Sequence, residues 1–143
     1  MIMTGEKKAV REKEAAAMEN VKKIVAKLGT GWEVKWDWEA LGAAIPDRRM
    51  EMGTLYYEQF TKGLLEEVEK MDAEVLEALN DAVGANKVIT YSASKDGDFS
   101  SGGGSYRLEG LKDGVKITQN AAWPTYNYPQ GSYTITEYVL KNC

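Results

Sequence analysis

Trp32-Glu33-Val34-Lys35-Trp36-Asp37-Trp38-Glu39 alternates a large apolar residue with a charged one over its whole length. Successive side chains of an extended strand point to opposite faces, so Trp32, Val34, Trp36 and Trp38 share one surface and the four charged residues the other. The spacing predicts a strand over 31–39 with one aromatic and one charged face. Three of the chain's four tryptophans fall on that single surface. It has two readings: indoles pressed under helices as part of a core, or flat π-faces offered to a protein partner or a planar ligand.

On the N-terminal side of this stretch, residues 6–28 place Val10, Ala17, Met18, Val21, Ile24, Val25 and Leu28 at three- and four-residue spacing. This is the pattern of an amphipathic helix, and Gly29 supplies its stop. On the other side, 42–46 breaks regularity before a second helical region over 47–83. There Tyr56, Phe60, Leu64, Val68, Met71, Val75, Leu79 and Val83 form a continuous stripe. Gly53 and Gly63 each weaken a helix by about 1 kcal/mol relative to alanine, and Asp72 suits an N-cap, so two helices are expected rather than one rod.

Beyond Gly84 the texture changes. Segments 87–94, 105–111, 115–120 and 132–140 are rich in β-branched and aromatic residues, and Lys95-Asp96-Gly97 and Lys112-Asp113-Gly114 are turn signals. The simplest connection is an antiparallel meander over 84–143. Together these readings predict an α+β fold in a single domain spanning 1–143. Two or three amphipathic helices pack on one face of a four- or five-stranded antiparallel sheet, which the tryptophan strand joins.

Composition narrows the chemistry. The chain has 143 residues, no histidine, and one cysteine, Cys143. Ser-His and Cys-His nucleophile systems and Cys/His zinc sites are excluded, which leaves carboxylates, tyrosine, lysine or an oxygen-bound metal for any catalysis. No catalytic motif is recognisable, and no cofactor or metal is expected. A net charge of −4 without clustered Lys and Arg argues against nucleic acid. No apolar run approaches the ~20 residues of a membrane span, and residues 1–11 lack the apolar segment of a secretion signal, so the cytoplasm is the expected location.

Three further stretches bear on function. Trp123-Pro124-Thr125-Tyr126-Asn127-Tyr128-Pro129-Gln130-Gly131 reads as a loop whose Trp123, Tyr126 and Tyr128 either recognise a partner or fold back over the end of the sheet. Arg48 and Arg49 fall in the first turn of a helix if Asp47 caps it, where the helix dipole disfavours positive charge, and so suggest an anion site. Asp96-Gly97-Asp98-Phe99-Ser100 departs from the EF-hand pattern at its glycine and glutamate positions and reads as a turn. Glu66, Glu67, Glu69 and Asp72 read as a solvated helix face.

The leading expectation is a non-catalytic intracellular binding protein, of inhibitor or immunity type, that captures a protein partner or a small anionic or aromatic ligand. Trp32, Trp36, Trp38, Trp123, Tyr126 and Tyr128 are its candidate contacts, with Arg48 and Arg49 for an anion. Two alternatives stand beside it: a pocket protein or small enzyme with an aromatic-lined cavity, and an oligomeric assembly protein. The extent of apolar helix surface favours a homodimer.

Overall fold

Helix α1 spans Thr4–Leu28, and its carbonyls are closed off where the Gly29 amide donates to Val25 O at 2.9 Å. Ala17, Ile24 and Leu28 of its expected stripe are buried, whereas Met18 is exposed. The computed structural model describes residues 4–44, 50–97, 99, 106–121 and 134–143. Strand β1 is Glu33–Trp36, shorter than the alternation predicts. Asp37 ends it: its carboxylate accepts from the Ala40 amide at 3.0 Å, capping helix α2, Trp38–Ala44.

A π-helix over Met52–Gln59 then runs directly into helix α3, Phe60–Lys70. Gly53 explains how closely it lies to α1, since a Cβ there would sit 1.9 Å from the Ala9 carbonyl oxygen. Thr61 is buried at the junction. Its hydroxyl lies 2.7 Å and 2.9 Å from the carbonyl oxygens of Tyr57 and Glu58 and accepts from Asn20 Nδ2 at 3.1 Å. The expected break follows at Met71, whose extended backbone separates α3 from α4, Ala73–Val83. Asp72 caps α4 by accepting from the Val75 amide at 2.9 Å. All eight residues of the predicted stripe from Tyr56 to Val83 are buried.

The sheet corrects the antiparallel expectation. Strands β2 (Val88–Ser94), β3 (Tyr106–Leu111) and β4 (Gly114–Asn120) join β1 in the order β1-β2-β4-β3. β1 pairs parallel to β2 and β2 parallel to β4; only β3 and β4 form the antiparallel hairpin that Lys112-Asp113-Gly114 predicts. The helices between β1 and β2 return the chain to the starting end of the sheet, which makes a parallel pair possible. At the hairpin, Gly114 has a φ of +89°, and a Cβ there would meet Val88 Cγ1 at 2.4 Å.

Segment 132–140 is the second correction. Instead of a last strand, Ile135–Asn142 forms helix α5, whose cap is Thr134 Oγ1 accepting from the Glu137 amide at 3.2 Å. A second carboxylate secures the same end. Glu67 of α3 accepts from the backbone amides of Ile135 and Thr136, and it is buried rather than part of a solvated face. Helix termini leave several amides without intrahelical partners, so this acidic side chain meets both a hydrogen-bonding and a dipole requirement.

One hydrophobic core joins these elements. Its strand members, Ile89, Tyr91, Ala93, Tyr106, Val115 and Ile117, lie on one sheet face by the pairing register, with all five α-helices, the π-helix, Trp32 and Met71 supplying the rest. The fold is therefore α+β, with five α-helices among the described residues and a four-stranded mixed sheet.

Candidate functional site

The turn from β1 into α2 places Trp36 and Trp38 side by side. Trp36 is the last residue of the strand and Trp38 the first of the helix, so their rings stack with centroids 6.0 Å apart and planes 9° from parallel. Tyr57 meets both edge-on, at 4.6 Å from Trp36 and 5.4 Å from Trp38. Edge-to-face contact sets the positive rim of one ring against the negative face of another. The Trp36 indole N–H also donates to Tyr56 O at 3.1 Å. Trp36 and Trp38 are each partly exposed, and Tyr57 is buried beneath them.

Tyr57 owes its place to the π-helix. A wider turn brings consecutive residues nearer to one face, and Tyr56 and Tyr57 both point inward: Tyr56 towards Tyr91, Tyr57 towards the indoles. Burial, and secondarily the carboxylate of Glu14, raise the Tyr57 pKa above its ordinary 10.0. The phenol therefore stays protonated further into alkali than an exposed tyrosine. Reading the sequence for helical period alone misses Tyr57, because an α-helix turns it away from the side of Tyr56; adjacent tyrosines within a glycine-containing helical segment are the signal that was available.

Trp32 has a different position. It is 3% exposed, and its indole N–H donates to Asn80 Oδ1 at 2.8 Å. Asn80 Nδ2 in turn lies 3.2 Å from Leu28 O and 2.9 Å from Leu76 O. The side chain joins the end of α1 to α4 from inside the core. Trp36 and Trp38 are therefore brought together, and Trp32 is kept apart from them. Trp123, Tyr126, Tyr128, Arg48 and Arg49 lie outside the described residues.

Two other regions carry polar groups. Along β2, β4 and β3, Ser92, Thr118 and Arg107 form one cross-strand row on the face opposite the core, and the Arg107 guanidinium lies 4.7 Å from the centroid of the Phe99 ring. An open groove of about 550 Å3 runs between α1 and the π-helix and α3, lined by Ala16 and Leu65 together with Glu19, Glu58, Glu66 and Glu69. Glu58 is paired with Lys13 at 3.7 Å, and Glu66 and Glu69 are exposed, as a solvated face requires. Among the described residues no group of three or more His, Cys, Asp or Glu side chains could hold a metal ion. None of their helices is long and apolar enough to cross a membrane.

Comparison with protein-family models, with curated proteins and with solved structures found no match to this chain.

Proposed function

We propose that this chain is a non-catalytic binding protein that captures a protein partner or a small aromatic ligand, with Trp36, Trp38 and Tyr57 as its contact ledge. The observation that carries the reading is the fixed, partly exposed indole pair. Three ring contacts and the hydrogen bond to Tyr56 O already restrict the tryptophans, so binding to them costs little further side-chain entropy. Large aromatics of this kind dominate the energetics of recognition surfaces. Absence of histidine from the whole sequence agrees with binding rather than acid–base chemistry.

The segment with Trp123, Tyr126 and Tyr128 extends the same proposal. The chain enters it from the end of β4 and leaves it at Thr134, between two well-anchored elements. Aromatic side chains on a connection between rigid elements suit recognition. Arg48 and Arg49, which follow α2 in the sequence, are proposed to supply charge for an anionic group.

The test compares wild-type and Trp38→Ala protein immobilised in parallel and exposed to the same cell extract, followed by affinity measurement on any species retained by wild type alone. A hot-spot side chain is worth about 2 kcal/mol or more, so its affinity should fall roughly thirtyfold or further. Equal retention by both proteins rejects the ledge. Tyr126→Ala with Tyr128→Ala, and Arg48→Gln with Arg49→Gln, test the other two segments in the same assay.

A further inference from the structure

We infer that the outer edge of β1 pairs with the same edge of a second copy of this chain, joining two four-stranded sheets into one. β1 stands at one end of the strand order and has β2 on one side only. The Glu33 amide donates to Lys87 O and the Asp37 amide to Tyr91 O, each at 2.9 Å. Backbone groups alternate in direction along a strand, so those of Val34 and Trp36 point away from β2. Among the described residues, no backbone hydrogen bond from another element reaches them. The opposite edge of the sheet differs: there the Tyr138 hydroxyl of α5 donates to Gly110 O of β3 at 2.7 Å. A row of outward-facing strand amides and carbonyls is a template for another strand.

The charges on β1 select a second copy as the occupant. Two identical edges related by a two-fold axis pair antiparallel, and residues directly opposite each other then share a sheet face. Val34 can therefore lie opposite Val34 or Trp36 of the second copy. The Val34–Trp36 register sets Lys35 against Lys35 and Glu33 against Asp37, all like charges. The Val34–Val34 register sets Glu33 of each copy against Lys35 of the other, giving two opposite-charge pairs around a centre at which the valines exchange two backbone hydrogen bonds. A lysine on an edge strand ordinarily repels a copy of itself, and here Glu33 cancels that guard. The Glu33 and Lys35 side chains are 65% and 63% exposed and meet each other at 3.5 Å within one strand, so both are free to reach across. On the other face Val34 and Trp36 are partly exposed, and the pairing covers them with Val34 of the second copy. Trp36 of each copy then lies on the same face of the joined sheet, so the dimer presents two ledges in one direction.

The experiment is sedimentation equilibrium of the full chain. A contact between two short strands belongs with weak, reversible dimers, with a dissociation constant on the order of 0.1–1 mM, so protein concentrations reach about 1 mM. The wild-type mass should climb from one chain towards two as concentration rises. Val34→Pro removes the outward amide and leaves every β1–β2 bond in place, at a position where edge strands accept proline, and should weaken the dimer roughly tenfold or more. Glu33→Lys and Lys35→Glu should each stay monomeric, because either change puts like charges opposite one another at both pairs. These two sites are well exposed, so the charge variants keep the fold and the test stands even if the proline variant does not. Mixed in equal amounts, the two charge variants should recover the dimer, since one supplies two lysines and the other two glutamates. Trp38→Ala should dimerise like wild type, so failure of the edge and failure of the ledge are told apart. A wild-type chain that stays single at about 1 mM, a dimer untouched by Val34→Pro, charge variants that associate as wild type does, or a mixture that remains monomeric would each overturn the pairing.

Discussion

Trp32 and the Trp36–Trp38 pair come from one short stretch of alternating sequence, yet they do opposite things. Trp32 is held all round, its N–H taken by an asparagine that itself binds two helices, so it acts as a joint between α1 and α4. Trp36 and Trp38 pack against the core through Tyr57 and each other, with Trp36 also bonded to Tyr56 O, and keep part of their surface in solvent. Side-chain type is the same in both places, and the alternation of the sequence assigns all three to one face. What separates a tryptophan that holds the fold from one that the fold holds is the arrival of α4 over one end of the stretch and of a capping aspartate at the other.

Substitutions at the two ends should therefore differ in size. Trp32→Ala should have the largest effect, lowering stability by about 3–5 kcal/mol through the cavity left and the stranded Asn80, as read by chemical denaturation. Glu67→Ala, another change at a side chain that holds elements together, should cost roughly 1.5–3 kcal/mol, because it removes a charged acceptor from two amides of α5. Loss of helicity from α5 should accompany it, seen as faster amide exchange there. Trp38→Ala should cost only about 1 kcal/mol, since part of that ring is already in water. A cost equal to that of Trp32→Ala would erase the contrast between the two ends.

The smallest effect concerns Tyr57→Phe, which should change stability little at neutral pH and reveal itself only in alkali. The folded state raises the phenol's pKa above the unfolded value of 10.0, so the stability linked to this group is fully present below pH 10. It is lost as pH rises through the folded-state value. Tyr138 is raised as well, chiefly by burial, so the wild-type curve contains both groups and comparison with Tyr57→Phe isolates one. Denaturation midpoints from pH 9 upward should fall less steeply in the variant (pH values on the scale of ordinary tyrosine ionisation, about 10). Parallel curves would show that the folded state does not hold the Tyr57 phenol in its protonated form by burial.

Much of the helical half was legible because its information is local. The stripe from Tyr56 to Val83 needs only a helical period, and Asp72 announces the break before α4 by its own side-chain chemistry. The β3–β4 hairpin was equally local, written in Lys112-Asp113-Gly114. The strand pairings of β1 and β2 were not, because parallel partners are chosen by packing across long separations that no short pattern records. In 132–140, Thr134, Ile135, Thr136 and Val139 suggested a strand by β propensity. Thr134 with Glu137 three residues on, a capping signal, carried the better information, and Glu67 reinforced it from a distant helix. Of the ledge, the sequence disclosed the two tryptophans on one face but neither their stacking nor Tyr57.

The placement of β4 between β2 and β3 has a consequence for how the chain reaches this state. A sheet whose neighbours follow sequence order can grow strand by strand at its edge, each addition closing a short loop. Here β3 has no partner until β4 exists, and β2 keeps one side open until the hairpin arrives. The last two strands must therefore dock as a preformed unit, through β4, onto a β1–β2 pair already brought together by the intervening helices. Long-range closures of this kind slow folding, so a nascent chain that stops short of Asn120 carries an open central strand edge, the state in which such proteins associate wrongly.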